Sequence, residues 1–119
     1  MGRASGEMTE QPGRDIDEAT IRRAARILLD AAHPVLLILF GSHARGRAGP
    51  DSDLDFLVVE REVPDRRAEM VRLRDLLRPL RIPVDLVVTS EAAFAKWSKV
   101  EGTVFAEAAQ RGRRLDVPA

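Results

Sequence analysis

The sequence predicts one small α/β domain, and three observations carry the prediction. Short apolar runs at 35–40, 53–60 and 84–88 alternate with two longer stretches whose apolar residues recur at helical spacing. A Gly41-Ser42 corner closes the first run, and carboxylates stand inside the other two at Asp53, Asp55 and Asp85. With 119 residues, 45% hydrophobic and 32% charged, the chain has material for a single core.

Taken in order, residues 1–14 lack apolar periodicity and read as a mobile leader, which leaves 15–119 as the domain. From Asp15 or Asp17 onward, Ile21, Ala24, Ala25, Leu28, Ala31 and Ala32 mark the inner face of a first helix. Acids sit in its first turn, where the dipole favours them, and it ends before Pro34 with His33 as its C-terminal residue. The continuous run 35–40, bounded by Pro34 and Gly41, reads as a strand buried on both faces. Residues 42–47 suit a short helical turn in which His43 is an exposed loop histidine, 47–52 a Gly/Pro loop, and 53–60 a second strand. Pro64 suits a first helical position, and Met70, Leu73, Leu76, Leu77 and Leu80 give the following helix an apolar stripe. Arg66, Arg67, Arg72, Arg74 and Arg78 read as its solvated face, with contact to RNA or to a protein partner as the lesser alternative. A third strand follows at 84–88, and 91–114 reads as helical, split at Gly102. Phe94, Trp97 and Phe105 cap the core there, and Trp97 marks the place to look for a partner surface.

Composition removes several classes of function. The chain has no cysteine, which excludes disulfides and thiolate chemistry and accords with a cytoplasmic protein. It has no apolar run long enough for a secretory signal or a membrane span. Nineteen basic and nineteen acidic side chains cancel, which argues against strong nucleic-acid binding through bulk charge.

The acids point to phosphoryl transfer. Side chains alternate along a strand, so Asp53 and Asp55 share one face while Leu54 and Phe56 enter the opposite layer. Neighbouring carboxylates repel, and a cation relieves them. Mg²⁺ suits the role, because it takes carboxylate, water and phosphate oxygens in a tight octahedron. Asp85 sits in the apolar run 82–88, where an unpaired charge is costly. If helix 64–80 joins two parallel neighbours, Asp85 joins the pair, and three carboxylates suit two metals about 3.5–4 Å apart. The alternative for Asp85 is an ion pair with an arginine of a neighbouring helix. Gly41 lets phosphate oxygens approach the backbone, and Ser42 offers a hydroxyl and an amide at a helix start. Arg45 either touches phosphate or, the slightly favoured reading, pairs with an acid to brace the loop.

As a set these residues resemble the nucleotidyltransferase fold of the DNA polymerase beta superfamily, above all its small stand-alone members, the minimal nucleotidyltransferases. The shared signature is Gly-Ser, a spacer of about ten residues, Asp-x-Asp in a hydrophobic strand, and a third Asp on the next strand. Here these are Gly41-Ser42, Asp53 and Asp55, and Asp85; Ala44-Arg45-Gly46 and Ser52 are like those of the minimal subgroup. Phe56 replaces a more usual aliphatic residue, a departure that concerns packing.

The resemblance implies a small mixed sheet flanked by helices, two Mg²⁺ ions held by Asp53, Asp55 and Asp85, and a nucleotide seated by Gly41, Ser42, Arg45 and Ser52. The implied reaction moves AMP from ATP to an acceptor and releases pyrophosphate. Many minimal members are similar to antitoxins encoded beside a HEPN ribonuclease, so the implied acceptor is a HEPN-type toxin, in a hetero-oligomer with this chain. Two other readings stand beside it: a non-catalytic antitoxin that masks the ribonuclease by contact, and a subunit that modifies a small molecule or RNA.

Overall fold

The computed structural model describes residues 16–44 and 53–115, so the expected leader at 1–14 and the loop at 47–52 lie outside the described residues. Helix α1 (Glu18–Ala32) starts at Asp17, whose carboxylate accepts from the Thr20 amide at 2.9 Å. It ends at His33, which adopts the left-handed conformation (φ 46°) and returns its N–H to Leu29 O. Strands β1 (Leu36–Phe40) and β2 (Leu54–Glu60) pair antiparallel, and helix α2 (Arg66–Leu77), with a 3₁₀ turn at Arg78–Leu80, crosses over to β3 (Val84–Ser90), parallel to β2. Helices α3 (Glu91–Trp97) and α4 (Val104–Arg111) follow, and β4 (Arg113–Arg114) closes the chain's path against β1. The mixed sheet has the order β3-β2-β1-β4.

Alternation sorts the strand residues into two layers. Leu37, Leu39, Leu54, Phe56, Val58, Leu86 and Val88 pack with α1 and α2, whereas Ile38, Phe40, Leu57 and Val59 pack toward α4 and Phe94 of α3. Both faces of β1 and β2 are therefore covered, which is why their runs are almost unbroken in apolar residues. The expected fold is the one observed.

Three local expectations need correction. Pro64 is not the first helical residue: Asp65 is the N-cap, its carboxylate accepting from Ala68 N at 3.1 Å, and a side-chain acceptor outranks a preset φ. Leu76 is 43% exposed, because only Leu73 and Leu77, four residues apart, point straight into the core. Arg113 and Arg114 are strand, not helix. Gly112 passes so close to Ile38 and to the Ala108 carbonyl that a side chain has no room, and this approach lays the chain along β1. The expected split of the C-terminal helix does occur, with Gly102 at φ +86° between α3 and α4.

A carboxyl pair ties β2 to α2. Glu69 accepts from Arg72 Nε (3.0 Å) and Nη2 (2.8 Å), which holds it below its usual range. Arg72 also donates to Ala31 O at 3.0 Å, so one guanidinium joins α2 to the end of α1. Glu60 is half-buried, and burial, followed by the hydrogen bond and negative charge of Glu69, pushes it up to about 7. Its Oε2 is buried, with no hydrogen-bond partner among the described residues. A carboxyl raised on folding stabilises the fold while protonated. Its contribution is full below about 4.5 and lost as pH rises toward about 7. After discounting for its exposure, we expect this group to cost on the order of 1 kcal/mol across that window. Urea midpoints against pH check it: Glu60→Gln flattens the slope and is the more stable protein at mildly alkaline pH. An unchanged slope in the variant contradicts the assignment.

Candidate active site

The first strand and the loop after it meet the start of β2 at one end of the sheet, and the candidate residues collect there. Phe40 pairs with Asp55, and Asp55 with Asp85, so one row crosses three strands. In-register residues of neighbouring strands project to the same face, about 4.8 Å apart at the backbone. Asp55 and Asp85 therefore stand side by side on the α3/α4 face. Asp53 lies two residues before Asp55, where β2 begins, and is exposed.

The reason for Asp85's presence differs from the expected one. It is exposed, because among the described residues β3 is an edge strand, so no burial cost demands a partner. Its register with Asp55 is what singles it out. Among the described residues, no ion pair engages Asp53, Asp55 or Asp85; the arginines of α1, α2 and β4 pair instead with Glu18, Asp30, Glu69 and Asp75.

Asp55 is half-buried, and its carboxyl is held above the usual range. Burial is the main cause, followed by the negative charges of Asp85 and Asp53, with His43 opposing them. His43 is itself half-buried in the turn at 41–44, not exposed as the sequence suggests. The same raised carboxyl reveals an acid that the sequence reading passed over. Glu107 of α4 adds a further negative charge near Asp55, and it also lines a cavity of about 440 Å³ with Glu101, Thr103 and Arg111. No motif spacing links Glu107 to Asp55, since 52 residues separate them and only the packing of α4 on the sheet brings them together.

Gly41 is the tightest point. Its φ is +77°, and a Cβ there would fall onto Asp55 Oδ2, 3.3 Å from Asp55 Cγ. A bare backbone thus lies directly against the carboxylate. Ser42 follows in the same turn, half-buried. Arg45 and Ser52 lie outside the described residues.

The donor set suits a hard divalent cation. Carboxylates from two adjacent strands share one face, and the proton affinity of Asp55 is raised by burial and then by its acidic neighbours, a tension that a bound cation relieves. Among the described residues no group of three or more His, Cys, Asp or Glu is placed to hold a metal ion, so a cation would have to draw the carboxylates together.

A family model described as the nucleotidyltransferase domain matches residues 21–108, and the chain belongs to that family. It is a minimal nucleotidyltransferase, and by family a transferase. Among solved structures it is similar to a toxin-antitoxin with AMP-PNP, at 26% identity over 82% of this chain and 73% of that chain, with a TM-score of 0.58. A variant of the toxin-antitoxin MntA-HpeT aligns at 25% identity over 87% and 75% of the two chains, TM-score 0.58. A second MntA-HpeT variant, at 21% identity over 81% and 72% and TM-score 0.57, shares the fold. No curated protein matches the chain. No helix among the described residues is long and apolar enough to cross a membrane.

Proposed function

We propose that this protein is the antitoxin of a toxin–antitoxin pair and acts as a Mg²⁺-dependent nucleotidyltransferase that moves AMP from ATP onto its toxin, a HEPN-type ribonuclease. One observation carries the reading: Asp55 and Asp85 lie in register on the face where Gly41 meets the Asp55 carboxylate. The toxin-antitoxin relatives, one of them with AMP-PNP, support the nucleotide and the class of partner.

Asp53, Asp55 and Asp85 would hold the metal. Magnesium, when bound, supplies charge for the triphosphate oxygens and lowers the proton affinity of the attacking hydroxyl. Gly41 and Ser42 seat the phosphates, because a bare backbone and a turn amide admit anionic oxygens closely. The resemblance assigns Arg45 and Ser52 to nucleotide binding as well. A hydroxyl oxygen of the acceptor attacks the α-phosphorus, its bond to the β-phosphate oxygen breaks, and pyrophosphate leaves. The hydroxyl proton passes to the Asp85 carboxylate, which its exposure leaves open to an incoming protein.

A second reading, masking of the toxin by contact alone, is favoured by one observation, the open spacing of the three carboxylates. Incubation with α-labelled ATP, Mg²⁺ and the toxin encoded nearby separates the two. Label on the toxin, lost when Mg²⁺ is chelated, is the expected result. A stable complex that neutralises the toxin without label establishes masking instead.

A further inference from the structure

The arginines of α2 stand beside an open edge of the sheet, and the transfer chemistry uses neither. Among the described residues β3 pairs with β2 alone, which leaves its outer edge without a strand. Leu54 N–H donates to Pro83 O at 2.9 Å and so sets the phase of the ladder. Asp85, Val87 and Thr89 turn their backbone groups to β2, whereas Val84, Leu86 and Val88 turn theirs outward. The register runs without a skip from Val84 to Ser90, so no bulge twists this edge, and no proline or lysine stands in it.

Arg67, Val71 and Arg74 of α2 and Arg78 of the 3₁₀ turn after it follow one stripe, and all four are exposed, Val71 at 54%. Between stripe and strand lies a groove of about 650 Å³ lined by Arg66, Arg67, Met70, Val71, Leu86 and Val87, with no carboxylate in its wall. Arg78 is paired with Asp75 at 2.6 Å, whereas Arg66, Arg67 and Arg74 enter none of the described ion pairs.

We propose that this surface receives an extended segment of a protein partner as a strand added to β3, with acidic and apolar residues in alternation. The outward N–H and C=O groups of Val84, Leu86 and Val88 supply the pairing. Alternation then divides the segment's side chains. One set turns to the α2 side, where acids meet Arg66, Arg67 and Arg74. The other turns to the Val87 side, where Asp85 repels acids and apolar groups fit. A second copy of this chain is a poorer occupant, because it sets two basic stripes against each other. The proposal does not depend on nucleotide transfer.

The test uses the whole chain and a synthetic heptapeptide of alternating Glu and Val, followed by fluorescence anisotropy and by amide exchange. Binding is expected to be about tenfold tighter than for the matching Lys–Val peptide and to weaken with salt. Amides of Val84, Leu86 and Val88 slow in exchange while those of Asp85 and Val87 do not change. Arg67→Glu with Arg74→Glu, both on the solvent face, reverses the preference between the peptides without altering the circular dichroism spectrum. No binding at millimolar peptide, equal binding of both peptides, or protection elsewhere than β3 overturns the proposal. So does capture of a single-stranded RNA in place of the peptide, or a dimer in sedimentation whose β3 amides are protected with no peptide present.

Discussion

Asp55→Asn is expected to lower nucleotide transfer by about 10³-fold and at the same time to raise the melting temperature of the metal-free protein. Burial, followed by the charges of Asp85, which stands in register with it, and of Asp53, holds the Asp55 carboxyl above the usual range. A group raised in this way weakens the fold once ionised, and the loss grows as pH rises past its unfolded value. The amide keeps the shape and removes the repulsion, so stability near neutral pH increases. Activity moves the other way, because an amide is a poor ligand for a hard cation where a carboxylate is needed. Loss of the charge that the site concentrates there is expected to cost about 10³-fold in rate, corresponding to ~4 kcal/mol of transition-state stabilisation. Label transfer and a thermal melt on the same preparation check both halves. Undiminished transfer refutes the catalytic role, and a lower melting temperature refutes the electrostatic account.

The next largest effect is expected at Gly41→Ala. A non-glycine residue at φ +77° costs about 1–2 kcal/mol in backbone strain alone. The new methyl also meets Asp55 Oδ2, and that carboxylate has to turn away. Displacement of a metal-holding group by about 1 Å is expected to lower transfer by about 10²-fold. Denaturant melts and transfer rates of the single variant read the two costs. The combination with Asp55→Ala separates strain from collision: with the carboxylate gone, the clash component of the Gly41→Ala penalty disappears, leaving a coupling of about 0.5–3 kcal/mol. Strict additivity of the two substitutions shows that the glycine is needed for its backbone conformation only.

Much of this site is legible in the sequence because its parts are local. The period of a strand is enough to expect Asp53 and Asp55 on one face, and Asp53 stands immediately before the first residue of β2. The strand itself is recognisable because Leu54, Phe56, Leu57, Val58 and Val59 are buried on both sides. The turn at Gly41 shows as a glycine ending an apolar run. Less was legible where a residue's meaning comes from its neighbours in space. Leu76 belongs to the apolar count of α2 yet faces solvent, and His43 looks like a loop residue yet lies within reach of Asp55's charge. Glu107 carries no signal along the chain at all.

What the sequence determined by itself is the order of elements from α1 through β3, the glycine that ends β1, and the alternation by which Asp53 and Asp55 are expected on one face. Each of these follows from geometry within a few residues. The tertiary structure alone decided that Asp85 stands in the row of Asp55 and not one place along. A shift of one residue would turn Leu86 and Val88 out of the layer they share with Leu54, Phe56 and Val58, so burial of that layer sets the register. It also decided that α4 brings Glu107 to the site and that β3 is left at the edge. Which strand finds no neighbour depends on how the whole sheet is ordered, and no short stretch of chain contains that information.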